Sequence, residues 1–266
     1  MKNTVDQSIL EFPLYIANKP VKTGQWLEVQ DKFSGKIYAK VALADDKILE
    51  KAINSAVKAE QEMAALKPFQ KQKILLHCVN RFKEMRDELT QILIIEGGKP
   101  KLAAAAEVER LINTFQLAAD AVTTMDEGRL MPLAVTPAAA AYSGMIRYVS
   151  IGAVSLISPF NFPLNLTAHK IAPAIAAGCP FVLKPASLTP ISALKIAQVL
   201  AETDLPKGAF SILPCPREHA DVLVTDDRFK LLSFTGSDQV GWDMKARAGR
   251  KKVTLELGGN AAVLIE

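Results

Sequence analysis

From Ile151 onward, two kinds of apolar pattern alternate along the chain. Ile151-Gly-Ala-Val-Ser-Leu-Ile-Ser158 is a short apolar run with β-branched residues, bounded by turn signals, and it reads as a strand buried on both faces. It stops at Pro159. Asn161 and Pro163 then open a segment, Leu164 to Ala177, whose apolar positions recur at helical spacing, and Gly178 closes it as a helix C-terminal cap. Pro180-Phe-Val-Leu-Lys184 is a second buried strand. Strand, helix and strand at this spacing form a βαβ unit, whose right-handed crossover makes the strands parallel and brings their ends to one edge. The alternation continues with helices at 191–201, 219–224 and 240–248 and strands at 209–213, 230–234 and 252–257. Five strands alternating with helices predict an α/β fold with a doubly wound parallel sheet. Asn161 and Lys184 then fall at its carboxyl edge, where such sheets bind ligands. Ala261 to Glu266 predicts the start of one more strand.

Upstream the pattern differs. Residues 12–41 alternate short apolar runs with turn signals such as Asn18-Lys19-Pro20 and read as hairpins or edge strands. From Asp45 the spacing turns helical, with Ile48, Ala52, Ile53, Ala56 and Val57 on one face. Further helices are predicted over 68–88, over 88–96 up to Gly97-Gly98-Lys99-Pro100, and over 101–124. The lysines on these helices read as a solvated face, and Gly98-Lys99 lacks the rest of a phosphate-binding P-loop. Between the helical layer and the sheet, extended runs at 133–141 and 144–149 flank Tyr142-Ser143-Gly144, the pattern of a hairpin. Such a hairpin is marginal alone and should lean on a partner surface.

Composition narrows the function classes. The 266 residues are 49% hydrophobic and 23% charged, with a net charge of +4 spread along the chain, which argues against a nucleic-acid surface. Neither a signal peptide nor an apolar run of membrane-spanning length is evident, so a cytoplasmic protein without a membrane partner is expected. Cys78, Cys179 and Cys215 are widely separated, and His77, His169 and His219 form no ligand cluster; no disulfide framework or metal site is expected.

Four places carry candidate chemistry. Gly236-Ser237-Asp-Gln-Val-Gly241 joins a strand to a helix. Its glycines and helix N-terminus suit a phosphate or pyrophosphate, and a capping turn built on Ser237 suits them equally. Lys184 is either a wetted strand end or an ammonium for a ribose hydroxyl or phosphate. Asn161 either caps its helix or donates to an oxygen that becomes negative during reaction. Glu256 falls on the face opposite Val253, Leu255 and Leu257 in a strand expected to be covered on both sides. A buried carboxylate there would have a raised pKa, as a general base needs, the alternative being an ordinary ion pair. Cys215 and His219 stand at helical spacing, but Pro214 and Pro216 put the thiol in a surface loop rather than a nucleophilic pair. Cys78 and Cys179 read as packed thiols.

Pro159-Phe-Asn161-Phe-Pro163, Lys184-Pro185, Phe234-Thr-Gly236-Ser237 through Gly241, and Leu255-Glu256-Leu257-Gly258-Gly259, in this order and spacing, resemble the aldehyde dehydrogenase superfamily over essentially the whole chain. The resemblance implies a Rossmann-like NAD(P)-binding domain made of residues 1–127 and 151–259. It also implies an inserted oligomerisation hairpin at 128–150, used to form a homo-oligomer, and a catalytic domain that begins at 260–266. By position, Lys184 matches the lysine on the adenosine ribose, Ser237 the contact to the cofactor pyrophosphate, Asn161 an oxyanion-hole amide and Glu256 the base that activates water. Ser158, Phe160, Ser187, Gly236, Val240, Gly241, Leu257 and Gly258 complete the implied cofactor site. In the family reaction a cysteine thiolate attacks an aldehyde, hydride passes to NAD or NADP, and the thioester is hydrolysed. The matching cysteine position lies beyond Glu266, so the 266 residues are expected to bind cofactor without oxidising aldehydes; a non-catalytic nucleotide-binding or interaction module is the alternative. Two departures stand out. Ser187 replaces the glutamate of many NAD-preferring relatives, so NADP should be tolerated, and Pro214-Cys215-Pro216-Arg217 replaces a glycine-containing turn.

Overall fold

The computed structural model describes residues 9–125 and 128–265. Its first strands are short: β1 (Leu10–Phe12), β2 (Leu14–Ile16), β3 (Lys19–Val21), β4 (Trp26–Gln30) and β5 (Ile37–Ala42). β4 and β5 pair antiparallel and β1 joins β5 in parallel, giving a separate three-stranded sheet. β2 and β3 form a hairpin whose turn holds Ala17 and Asn18 at φ 49° and 69°. Asparagine tolerates that left-handed backbone, and its side chain anchors the hairpin by donating to the carbonyls of Leu205 and Pro206 at 3.1 and 2.9 Å.

Five helices follow: α1 (Asp46–Lys58), α2 (Glu60–Ala65), α3 (Pro68–Glu84), α4 (Arg86–Gly97) and α5 (Lys101–Ala121). Asp45 caps α1 by accepting from the Ile48 amide at 2.9 Å. The break between α3 and α4 falls at Met85, three residues before the expected boundary. After residue 128 come β6 (Arg129–Pro132) and β7 (Ser143–Ile146), which pair antiparallel. The hairpin is therefore present with different strands: residues expected to extend over 133–141 instead form the connection, with a 3₁₀ turn at Pro137–Ala139. It stands apart from the other sheets and exposes Leu130, Met145, Tyr148 and Val149.

The rest is the predicted alternation: β8 (Val154–Ile157), α6 (Asn165–Ala176), β9 (Phe181–Lys184), α7 (Pro190–Leu200), β10 (Phe210–Ile212), α8 (Val222–Thr225), β11 (Leu231–Gly236), α9 (Asp238–Arg247) and β12 (Lys252–Leu257). Their strands make the parallel part of a seven-stranded sheet of order β12-β11-β8-β9-β10-β2-β3, to which the β2–β3 hairpin adds an antiparallel edge. The fold class is thus α/β with helices on both faces. The expected helix at 219–224 is a 3₁₀ turn at Arg217–His219 followed by α8, and residues 261–265 form no strand.

Alternate strand residues supply the two faces. Phe181, Leu183, Phe210 and Ile212 join a core with α3 and α5–α7, while Val182 packs with Leu49, Ala52 and Ile53 of α1. Leu232 and Phe234 pack against α9. Two carboxylates cross from the helical layer into this core. Glu107 of α5 accepts from the amides of Leu164 and Asn165 at 2.9 and 3.1 Å, which caps α6, and its other oxygen pairs with Lys99. Glu96 of α4 accepts from the amides of Ile191 and Ser192, both at 2.8 Å, and from the Ser192 hydroxyl, which caps α7. Both glutamates are fully buried. Each replaces the solvent that would otherwise satisfy the unpaired amides of a helix start.

Burial pushes the Glu96 carboxyl up to about 7, although its bonds to Ser192 and Ile191 favour the charged form. A carboxyl raised on folding stabilises the protein below its unfolded pKa, and that contribution is lost as pH rises through the folded value. Denaturant unfolding of wild type and Glu96→Gln from pH 5 to 8 should therefore show the advantage of the wild type shrinking, by up to roughly 3 kcal/mol. An advantage that is constant or grows with pH contradicts this assignment.

Candidate functional site

Four adjacent parallel strands set the site. In the order β12-β11-β8-β9 all run the same way, so their carboxyl ends form one row about 14 Å across at about 4.8 Å per strand. Asn161 follows β8, Lys184 ends β9, Ser237 follows β11 and Glu256 sits at the end of β12. The sequence-derived residues therefore share one edge of one sheet.

Their surroundings differ. Ser158 is buried and accepts from the Thr167 hydroxyl at 3.0 Å. Phe160 and Asn161 are exposed; the Asn161 side-chain oxygen accepts from the Phe162 amide at 3.0 Å. Asn161 does not cap α6, because Glu107 already does. Lys184 is half-buried, and its ammonium donates to the carbonyl of Pro185, at 3.4 Å. Burial lowers its pKa, with Arg217 adding to the fall and Cys215 opposing it. Ser187 is exposed in the loop between Lys184 and α7.

At the β11–α9 turn the structure gives the glycines an internal reason. A side chain on Gly236 would meet the Phe234 ring at 2.5 Å, and one on Gly241 would meet Leu257 at 2.4 Å. They permit α9 to sit tightly on β11 and β12, with Val240 and Leu257 half-buried between them. Gly258 is exposed with open space around it. Ser237 is the N-cap residue of α9, yet its side chain makes no cap bond. Of the three longer helices that follow parallel strands, α6 and α7 begin on buried carboxylates and α9 begins on none. Its first amides are the anion-binding donors left at this edge among the described residues.

Glu256 departs from expectation. β12 is the outermost strand, so Glu256 is exposed rather than covered, and the desolvation invoked for it is missing. It faces a cavity of about 790 Å³ between α5, α6 and the uncovered face of β11–β12, lined among others by His169, Lys170, Ser233, Thr235 and Thr254. His169 and Lys170 are groups that the sequence reading missed. Lys170 is buried and donates to the Ser233 hydroxyl at 2.9 Å. Burial brings its pKa down to about 8, opposed by the charge of Glu256. His169 is lowered by burial, then by Arg110 and Lys170, again opposed by Glu256. The adjacent His169 and Lys170 inside the predominantly apolar stretch Leu164 to Ala177 were the available signal.

No cysteine enters this constellation. Cys215 is buried, not in a surface loop, and burial pushes its thiol up to about 11. His219 turns away to Asp46, at 2.6 Å. Cys78 is buried with its pKa raised, and Cys179 lies at the start of β9 beside Ser150.

Comparison with known proteins agrees with the geometry. The profile of the aldehyde dehydrogenase family matches residues 19–266. The 3-sulfolactaldehyde dehydrogenase of Priestia aryabhattai is 33% identical over 258 residues, covering 97% of this chain and 54% of that protein. Crystalline aldehyde dehydrogenase 21 from Physcomitrella patens, in complex with the reaction product succinate, is 48% identical with a TM-score of 0.94, over 96% of this chain and 53% of that one. The glyceraldehyde-3-phosphate dehydrogenase of Methanocaldococcus jannaschii, complexed with NADP, is 34% identical with a TM-score of 0.82, over 89% and 52%. The chain thus spans about half the length of the relatives it matches. Among the described residues no helix is long and apolar enough to cross a membrane.

Proposed function

The chain belongs to the aldehyde dehydrogenase family, and we propose that it is the dinucleotide-binding portion of an enzyme that oxidises an aldehyde to a carboxylic acid with NAD or NADP. The domain division follows the same reading: residues 1–127 and 151–259 form the dinucleotide domain, 128–150 the oligomerisation arm and 260–266 the entry to the catalytic domain. The observation that carries it is the row of Asn161, Lys184 and Glu256 beside α9, a long crossover helix whose first amides, among the described residues, no buried carboxylate occupies.

The residues fit a dinucleotide. The α9 amides and the Ser237 hydroxyl hold the pyrophosphate, and Lys184, which among the described residues pairs with no carboxylate, donates to the adenosine ribose. Ser158, Phe160, Ser187, Gly236, Val240, Gly241, Leu257 and Gly258 form its walls. When bound, the dinucleotide supplies the hydride acceptor. Asn161 donates its side-chain amide to the oxygen that gains charge during attack on the aldehyde. Glu256, facing the cavity from an exposed strand end, takes a proton from water during hydrolysis of the thioester. The buried thiols of Cys78, Cys179 and Cys215 suit packing and not attack. On its own the chain therefore binds dinucleotide without turning over aldehyde.

The basic groups near Glu256 support an aldehyde with an anionic tail. Arg110 lies 5.4 Å from the Phe162 ring, and it acts on His169 together with Lys170, so two cations stand about a histidine that, with Lys170, lines the cavity. A sulfonate, a carboxylate or a phosphate distinguishes the compounds named for the three relatives above. The exposed apolar residues of β6 and β7 are proposed to pack on a second copy of the chain.

Calorimetric titration should show saturable binding of NAD or NADP, weakened about tenfold by Lys184→Ala, the scale of one charge-assisted bond. No reduced nucleotide should form when aldehyde is added. Absence of binding, or turnover abolished by Cys215→Ser, contradicts the proposal. Succinate, and not neutral succinamide, is expected to move the His169 ring resonances in NMR, and Arg110→Ala to remove the response; equal responses to both compounds sink the anionic-tail reading. Light scattering should report an assembly larger than one chain that becomes monomeric with Leu130→Asp and Met145→Asp, and a monomeric parent chain rules out the arm's role.

A further inference from the structure

Gly97-Gly98-Lys99-Pro100 joins α4 to α5 and, although it is no P-loop, it sets a lysine beside the site. Gly98 takes the left-handed backbone that closes α4, with φ 64°, and Pro100 opens α5, so Lys99 is fixed between a tight turn and a proline. Its side chain is only 13% exposed. The ammonium meets two partners: the carboxylate of the buried Glu107, and the face of the Phe162 ring, 3.8 Å from the ring centre. The guanidinium of Arg110, one turn further along α5, stands 5.4 Å from the same ring. A ring faced by cations is held by the attraction of its electron-rich face, and that attraction strengthens as the charge is desolvated. Phe162 has need of such an anchor. It is 39% exposed and, among the described residues, packs in none of the hydrophobic cores.

What Phe162 controls is its neighbour. The Phe162 amide donates to the side-chain oxygen of Asn161 at 3.0 Å. An N–H can donate only to the oxygen end of a carboxamide, so this bond turns the NH2 of Asn161 the other way. Asn161 is exposed, and among the described residues nothing accepts from that NH2. Holding Phe162 therefore fixes both the place and the sense of the donor that Asn161 offers. One carboxylate serves both ends of the turn. Glu107 caps α6 through the amides of Leu164 and Asn165, and its other oxygen holds Lys99 over Phe162, so the segment from Phe162 to Asn165 is pinned to α5 at either end. We infer that Lys99 is a positioning residue, which through the Phe162 ring aims the Asn161 amide outward as a preformed donor. A donor fixed in advance costs no reorganisation when charge develops on the oxygen it meets. The inference rests on the reading of Asn161 given above and adds to it the residue that holds the donor in place.

Nitrogen relaxation of the Asn161 side-chain amide tests it, with the resonance assigned by its loss in Asn161→Asp. Wild type should give an order parameter close to that of folded backbone, about 0.85, and Phe162→Leu one below about 0.6. Phe162→Tyr keeps the ring and should restore the wild-type value. In Phe162→Leu the Lys99–Glu107 pair is intact, so the Leu164 and Asn165 amide resonances should stay in place while Asn161 loosens; a general loosening of α6 would move all of them and counts against the inference. Lys99→Met should loosen Asn161 too, and it also lowers the melting temperature because it strands the charge of Glu107 in the core. Phe162→Leu decides the matter without that cost. An Asn161 amide as ordered in Phe162→Leu as in wild type, or one already mobile in wild type, overturns the inference. Calorimetry of wild type with NAD and NADP separates it from the reading beneath it. Wild type that binds neither nucleotide removes that reading even where the order of Asn161 follows Phe162, and nucleotide binding with an Asn161 indifferent to Phe162 removes the inference alone.

Discussion

Two buried carboxylates hold the crossover helices in place, and the functional edge of the sheet depends on them. A helix start carries unpaired amides and a partial positive charge, and burying it without a partner is costly. Here the partners come from another layer: Glu107 of α5 reaches the start of α6, and Glu96 of α4 the start of α7. The consequence is architectural and chemical together. The loops that carry Asn161 and Ser187 lead directly into the capped turns, so the helical layer fixes their positions. The anion-binding capacity of α6 and α7 is used up inside the protein, and the start of α9 is left without such a carboxylate among the described residues.

The second constraint is the order of the strands. β12 stands at the sheet's edge, with α9 packed on one face of β11 and β12 and a cavity separating the other face from α5 and α6. That uncovered face presents Ser233, Thr235, Thr254 and Glu256 to a cavity in place of an apolar surface for packing. Lys170 is desolvated by α6 yet bonded to Ser233, so the cavity has a buried amine on one side and an exposed carboxylate on the other. In the uncovered state Glu256 lacks the burial that would prepare it as a base. In the proposed function that burial comes with the catalytic domain and the bound substrate.

Much of this was legible from local pattern. The short apolar runs Ile151 to Ser158 and Pro180 to Lys184, bounded by turn signals, contain the buried strands β8 and β9, and the glycine at 178, with φ of 71°, ends α6 as expected. Strand order is a non-local property, so Glu256 was assigned to a covered strand when it lies on the outermost one. The capping glutamates were missed for a different reason. Glu107 shares an inward stripe with Ala104, Val108 and Leu111, and Glu96 one with Leu93 and Ile92. A charge on such a stripe announces a buried partner without saying which. Cys215 looked solvent-facing between two prolines, but the pairing of Pro214 with Ala44 draws it into the core.

The account turns on one claim: α9 is the helix start that receives the dinucleotide phosphates because α6 and α7 are already occupied. Backbone amide NMR of the chain, with and without nucleotide, tests it most directly. Saturating NADP should move the amide resonances of Ser237, Asp238 and Gln239 strongly and leave those of Leu164, Asn165, Ile191 and Ser192 nearly unchanged. Large shifts at the α6 or α7 amides with none at α9 would contradict it.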